Sequence, residues 1–134
     1  MPTDEVMPMR YILAIIPPDR YDAVIDALSA HHVRGVTVSE AMGYGQEHDR
    51  AHPEHTERLG IEMTRKLRLE IVCRTEEVDE MLQALYDAGH TGRRGDGRVF
   101  VLPLYDALRL KTGERGLAAL GPDHPPAGRS SSPD

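Results

Sequence analysis

Thr91-Gly92-Arg93-Arg94-Gly95-Asp96-Gly97-Arg98 packs glycines and arginines into one short stretch, directly ahead of the apolar run Val99-Phe100-Val101-Leu102. Glycine lets a backbone take positive φ and approach a ligand closely, and arginine offers a fixed cationic fork suited to phosphate or carboxylate. The chemistry is that of an anion site. The stretch is not a P-loop, because no Lys-Ser/Thr pair follows the last glycine. Nor is it a dinucleotide fingerprint, because the glycines lead into a strand-like run and not into a helix. On spacing alone, a glycine-rich connection with solvated charges remains an equal alternative. A second group, His48, His52 and His55 among Glu47, Asp49 and Glu54, has the residue types of a metal site or a pH-sensitive patch, and equally of an exposed polar loop. Cys73 shares a strand parity with Leu67, Leu69 and Ile71, which suits a buried packing thiol better than a redox switch. His31-His32, at a helix end, suit the negative pole of the helix dipole better than metal ligation.

These groups need elements to position them. Arg10 to Ile16 reads as a strand stopped by Pro17-Pro18. Asp19 is a plausible N-cap for a helix carrying Tyr21, Val24, Ile25 and Leu28 on one face and ending near His31-His32, before Gly35. Val36 to Met42 reads as a second strand closed by Gly43-Tyr44-Gly45. Residues 46–64 offer almost nothing to bury, and a polar loop of that length inside a small domain is more often functional than a plain connector. Lys66 to Cys73 resumes alternation. Thr75 is a good N-cap, and Val78, Met81, Leu82 and Leu85 stripe a second helix that Gly89 ends. Val99 to Leu102 is a fourth strand, followed by Pro103 and a short helical turn around Tyr105 to Leu108. From Gly121 the chain is rich in Pro, Gly and Ser, and a disordered tail over 121–134 is expected, as is a flexible start over 1–8.

Strand, helix, strand, long loop, strand, helix, strand is the order of an α+β, ferredoxin-like double β-α-β domain, with an antiparallel sheet and two helices on one face. The other face needs cover, for which sister subunits are the expected source. The totals agree with one domain: 134 residues, 40% hydrophobic and only 4% aromatic, so the core should be aliphatic. A net charge of −6 argues against general nucleic-acid binding or an anionic membrane surface. The first apolar run, Tyr11 to Ile16, is too short for a membrane span and follows Asp4 and Glu5, unlike a signal peptide. A single cysteine cannot close an internal disulfide, and a reducing cytoplasm is the expected compartment.

Three segments, taken in order, resemble the PII signal-transduction proteins: Gly35 to Gly45, Lys66 to Val72, and Thr91 to Pro103 with Lys111-Thr-Gly-Glu-Arg-Gly116. The resemblance spans about residues 9–120. It implies a homotrimer that binds ATP or ADP in clefts between subunits and docks a partner protein through a long T-loop, here residues 46–65. Thr91, Gly95, Asp96, Gly97 and Arg98 would form the loop around the phosphates. Arg109 and Lys111 would reach the phosphates from the neighbouring subunit, and Thr37, Gly43 and Gly45 would frame the adenine and ribose side. Lys66 would pair with the distal carboxylate of 2-oxoglutarate as second effector, beside Mg held at Glu47. The resemblance implies a regulator and not an enzyme, with at most slow ATP hydrolysis.

Departures from the family pattern carry their own expectations. Arg98 stands where the family usually has Lys, and Lys111 where it has Arg, so charge is kept while fork and point charge trade places. Residues 46–65 hold no tyrosine, so the nucleotidylation used by some members is not expected. Glu47 replaces a usual Gln, adding negative charge beside a triphosphate and a dicarboxylate, which should weaken the second anion. A PII-like sensor of ADP or AMP and bicarbonate is therefore the alternative.

Overall fold

Apolar residues at every second position of Met9–Ile16 set the orientation of the sheet. In this computed structural model, which describes residues 7–44 and 63–121, that segment is β1, and Ile12 and Ala14 are fully buried with Ile16 nearly so. Its opposite-parity residues Tyr11, Leu13 and Ile15 are only partly buried. A strand whose alternate side chains point to opposite faces thus commits one face to the core.

The elements follow as α1 (Tyr21–Ala30), β2 (Thr37–Tyr44), β3 (Met63–Arg74), α2 (Val78–Gly89) and β4 (Arg98–Pro103). The sheet order is β2-β3-β1-β4, antiparallel throughout. Leu69, Ile71 and Cys73 of β3 lie on the same face as Ile12 and Ala14, and there they meet Val24 and Leu28 of α1 and Met81 and Leu85 of α2. Each such aliphatic side chain contributes about 1.5–3 kcal/mol when fully buried. This is the expected ferredoxin-like arrangement, with both helices on one face.

Local details differ from the sequence reading for identifiable reasons. Asp19 does not cap a helix: it lies inside a 3-10 turn, Pro18–Arg20, and its carboxylate pairs with Arg93 instead. Thr75 likewise sits within a 3-10 turn, Thr75–Glu77, and its hydroxyl donates to the Met7 carbonyl at 2.7 Å. That contact, with Arg10 donating to the same carbonyl at 2.8 Å, holds residues 7 and 8 against the fold where a flexible start was expected. Residues 1–6 lie outside the described residues.

α1 ends at Ala30 with His31 as its C-cap, close to the expected end at His31-His32. His32 takes φ 58°, the His32 N–H bonds the Ser29 carbonyl and the Val33 N–H bonds that of Leu28, a Schellman closure with histidine in the position glycine usually fills. His31 Nδ1 meets Glu80 of α2 at 2.7 Å, so this histidine joins the two helices. The carbonyl of Ala88, near the end of α2, accepts Arg20 Nε at 2.9 Å, which satisfies a group that helix geometry leaves orphaned. No helical turn forms around Tyr105 to Leu108. That segment opens a hairpin whose arms bridge at Leu108 and Arg115, and a 3-10 turn, Gly116–Leu120, follows it.

Candidate functional site

The Gly-Arg stretch connects α2 to β4, and its shape follows from Asp96. The carboxylate accepts the N–H groups of Thr91 (2.9 Å) and Gly92 (2.8 Å) and the Thr91 hydroxyl, while His90 Nδ1 stands 3.6 Å away. Burial works to raise the Asp96 pKa, but the Thr91 hydroxyl, the two N–H groups and His90 outweigh it and hold the carboxyl below its usual range. Its negative charge is therefore taken up inside the loop. Gly92 and Gly95 have φ of 80° and 95°, which a side chain would oppose.

Gly97 is required for a different reason. A Cβ there would stand 1.4 Å from the carbonyl oxygen of Ile15, so the loop backbone lies directly on the end of β1. Arg98 then enters β4 opposite Ile15. Arg93 reaches the start of α1, with its Nη2 2.9 Å from Asp19 Oδ2, and its N–H donates to the Thr91 hydroxyl at 3.1 Å.

Lys66 lies on the β3 face away from the helices, yet is only 2% exposed. Its ammonium donates to the Gly95 carbonyl at 2.5 Å, and its Cγ is 3.8 Å from where a Cβ on Gly43 would sit. A buried ammonium needs such acceptors to offset lost hydration. Gly43, Lys66, Thr91, Gly95, Asp96, Gly97 and Arg98 thus converge on one corner of the sheet. A cleft of about 300 Å³ opens beside it, lined by Ile16, Leu85, Tyr86, His90, Gly97 and Val99 among others. Tyr86 stacks on His90 at its rim, the ring centroids 4.8 Å apart.

Other expected site residues lie elsewhere. Thr37 is at the far end of β2, opposite Glu70 and six residues, or about 20 Å, from Gly43. Lys111 is exposed on the hairpin after β4, and Arg109 on the same hairpin donates from Nε to the Ala119 carbonyl at 3.2 Å. Gly45, Glu47 and the histidines at 48, 52 and 55 lie outside the described residues. Residues 63–65, expected at the end of the long loop, belong to β3, where Thr64 is buried. Among the described residues no group of three or more His, Cys, Asp or Glu could hold a metal.

Sequence reasoning missed the Asp19–Arg93 pair, whose members are 74 positions apart, and the part of Tyr11 in a charged cluster on the open sheet face. There Tyr11 donates to Glu70, and Arg68 Nε stands 4.0 Å from the same carboxylate. The alternation of Arg68 and Glu70 against Leu69 and Ile71 signals that these charges share a face, but not that Tyr11 lies beside them.

An antiparallel β2-β3-β1-β4 sheet backed by two helices, with a glycine-arginine loop at its corner, defines a ferredoxin-like domain carrying a candidate anion site. The family model for nitrogen regulatory protein P-II matches residues 9–114. A nitrogen regulatory protein P-II from Azospirillum brasilense is 35% identical over 108 residues, covering 81% of this chain and 96% of the relative. One from Bradyrhizobium diazoefficiens is 37% identical over 112 residues, covering 84% and 100%. Among solved structures, a crystal structure of Arabidopsis thaliana PII bound to citrate superposes with a TM-score of 0.69 at 31% identity, covering 86% of this chain and 92% of that one. The chain belongs to the P-II family of nitrogen regulatory proteins. Among the described residues no helix is long and apolar enough to cross a membrane.

Proposed function

We propose that this chain is a cytoplasmic PII regulator, and not an enzyme, that binds ATP or ADP between the subunits of a homotrimer and controls a partner protein through residues 46–65. The observation that carries the reading is the corner where Lys66 and Gly43 meet the Thr91–Arg98 loop. Asp96 is spent on the loop's own donors, while Arg94 and Arg98 are exposed, so the surface turned outward is cationic. Backbone donors in a glycine-rich turn, with arginine forks beside them, suit a nucleotide's phosphates. Arg109 and Lys111 lie on the hairpin after β4, outside that corner's set of contacts, which fits a cleft to which a second copy supplies them. Lys66, and Glu47 with Mg, would serve a second anion such as 2-oxoglutarate or bicarbonate.

Isothermal titration of the full chain with ATP, ADP and AMP, each alone and with 2-oxoglutarate, bicarbonate or citrate, tests this. Saturable binding of ATP or ADP, with little phosphate release, is the expected result. Failure of every nucleotide to bind would sink it. Enhancement by bicarbonate but not 2-oxoglutarate, strongest with ADP or AMP, would favour the alternative sensor.

A further inference from the structure

The hairpin after β4 is closed by its own contacts: the Arg109 N–H donates to the Glu114 carbonyl at 2.9 Å and the Gly113 N–H to the Arg109 carbonyl at 2.7 Å. Asp106 fastens its base by accepting from Arg115 and from the Gly116 N–H. The chain then turns back through Gly116–Leu120, and this turn meets the Arg109 side chain. The Ala119 carbonyl accepts Arg109 Nε at 3.2 Å. At Gly121 a Cβ would stand 2.5 Å from Arg109 Nη2 and 3.6 Å from Cζ. Gly121 has φ 87° and ψ −177°, a region essentially reserved for glycine, and its N–H is fixed to the Ala118 carbonyl at 3.2 Å. Arg109 is accordingly half-buried, whereas Lys111, two residues on, is exposed.

We propose that residues 116–121 form a seat for the Arg109 guanidinium, and that Gly121 is a positioning residue for nucleotide phosphate although it does not touch the nucleotide. This rests on the reading that Arg109 reaches the phosphates bound by a neighbouring copy. A guanidinium held by Nε and packed at Nη2 against the turn keeps its plane fixed, and that plane sets the direction from which the group meets a phosphate. Setting that plane in advance removes rotamer freedom that binding would otherwise have to freeze. The absence of a side chain at 121 is what lets the fork lie against the turn. Lys111, exposed on the same hairpin, offers a solvated point charge, so the two cations of the hairpin divide the work between orientation and general attraction.

The test compares wild type, Gly121→Ala, Arg109→Ala and the double variant by titration with ADP and with adenosine, which lacks phosphate. Gly121→Ala is expected to weaken ADP roughly tenfold, the size of a misdirected charge-assisted contact, and to leave adenosine unchanged. In the Arg109→Ala background it should add no further loss. Wild-type ADP affinity in Gly121→Ala, or an equal loss with Arg109 absent, overturns the seat while leaving the nucleotide reading standing. If Gly121→Ala does not fold, recovery of folding in the double variant supports the contact with Arg109. Failure of both to fold places the strain in the backbone and overturns it. ADP binding unchanged in Arg109→Ala removes Arg109 from the phosphate site and this inference with it, a result distinct from failure at Gly121 alone.

Discussion

The thiol of Cys73 is 2% exposed among Ile12, Ile71 and the helices. Burial, reinforced by Glu77 and Glu76 and opposed by Arg34 and Arg10, pushes its pKa up to about 11. A thiol whose folded pKa exceeds its unfolded value keeps its proton longer when folded, so stability is full below the unfolded pKa and falls as pH rises from about 9 toward 11, by up to roughly 2–3 kcal/mol. Alkylation by iodoacetamide at pH 8 should be slow in the native chain and fast in guanidinium; rapid native labelling would contradict the burial. Parity along β3 made this residue legible in the sequence. Lys66 was harder, because periodicity assigns a lysine on the non-core face to solvent. Its ammonium meets the Gly95 carbonyl and its stem runs beside Gly43, neighbours that no periodicity along β3 announces. The end of the first helix near His31-His32 was legible, but not that His32 itself would take the left-handed backbone that closes it.

At the level of elements, the loop from Thr91 to Arg98 and the end of β1 are joined at Gly97. Gly97→Ala would drive a methyl into the Ile15 carbonyl, and is expected to cost at least about 2 kcal/mol or to displace the loop. A thermal midpoint and an ADP titration both at wild-type values would show that the backbone approach is not needed. The order and type of every strand and long helix could be read from hydrophobic period and Pro/Gly punctuation, because those signals are local. What escaped were the short 3-10 turns and the hairpin after β4. Residues 104–121 bury little and are fixed by specific pairs, Arg115 with Asp106 and Arg109 with Ala119, which no periodicity announces. The candidate site was legible as a loop and a list of cations. Its internal clamp on Asp96 was not.

For the whole molecule, the open sheet face bears on assembly. Phe100 and Leu102 of β4, 47% and 45% exposed, lie on this face beside Leu13 and Tyr11, whereas Val99 and Val101 share the helix-side face with Ala14 and Ile12. An apolar face of this kind, interrupted by Tyr11, Glu70 and Arg68, suits a contact with further copies of the chain. Phe100→Asp is expected to reduce the mass seen by sedimentation to that of a single chain with helical circular dichroism retained. An unchanged assembly would exclude this face from the contact.

The position of β4 at the border of the sheet has a consequence for unwanted contact between chains. Among the described residues Val-Phe-Val-Leu is an uncharged, β-prone run on a sheet border, the kind of segment that templates cross-β growth. Arg98 at one end and Pro103 at the other act as gatekeepers, a charge that resists stacking and a residue with no N–H to extend the ladder. Aggregation through this border is the hazard that the two flanking residues oppose.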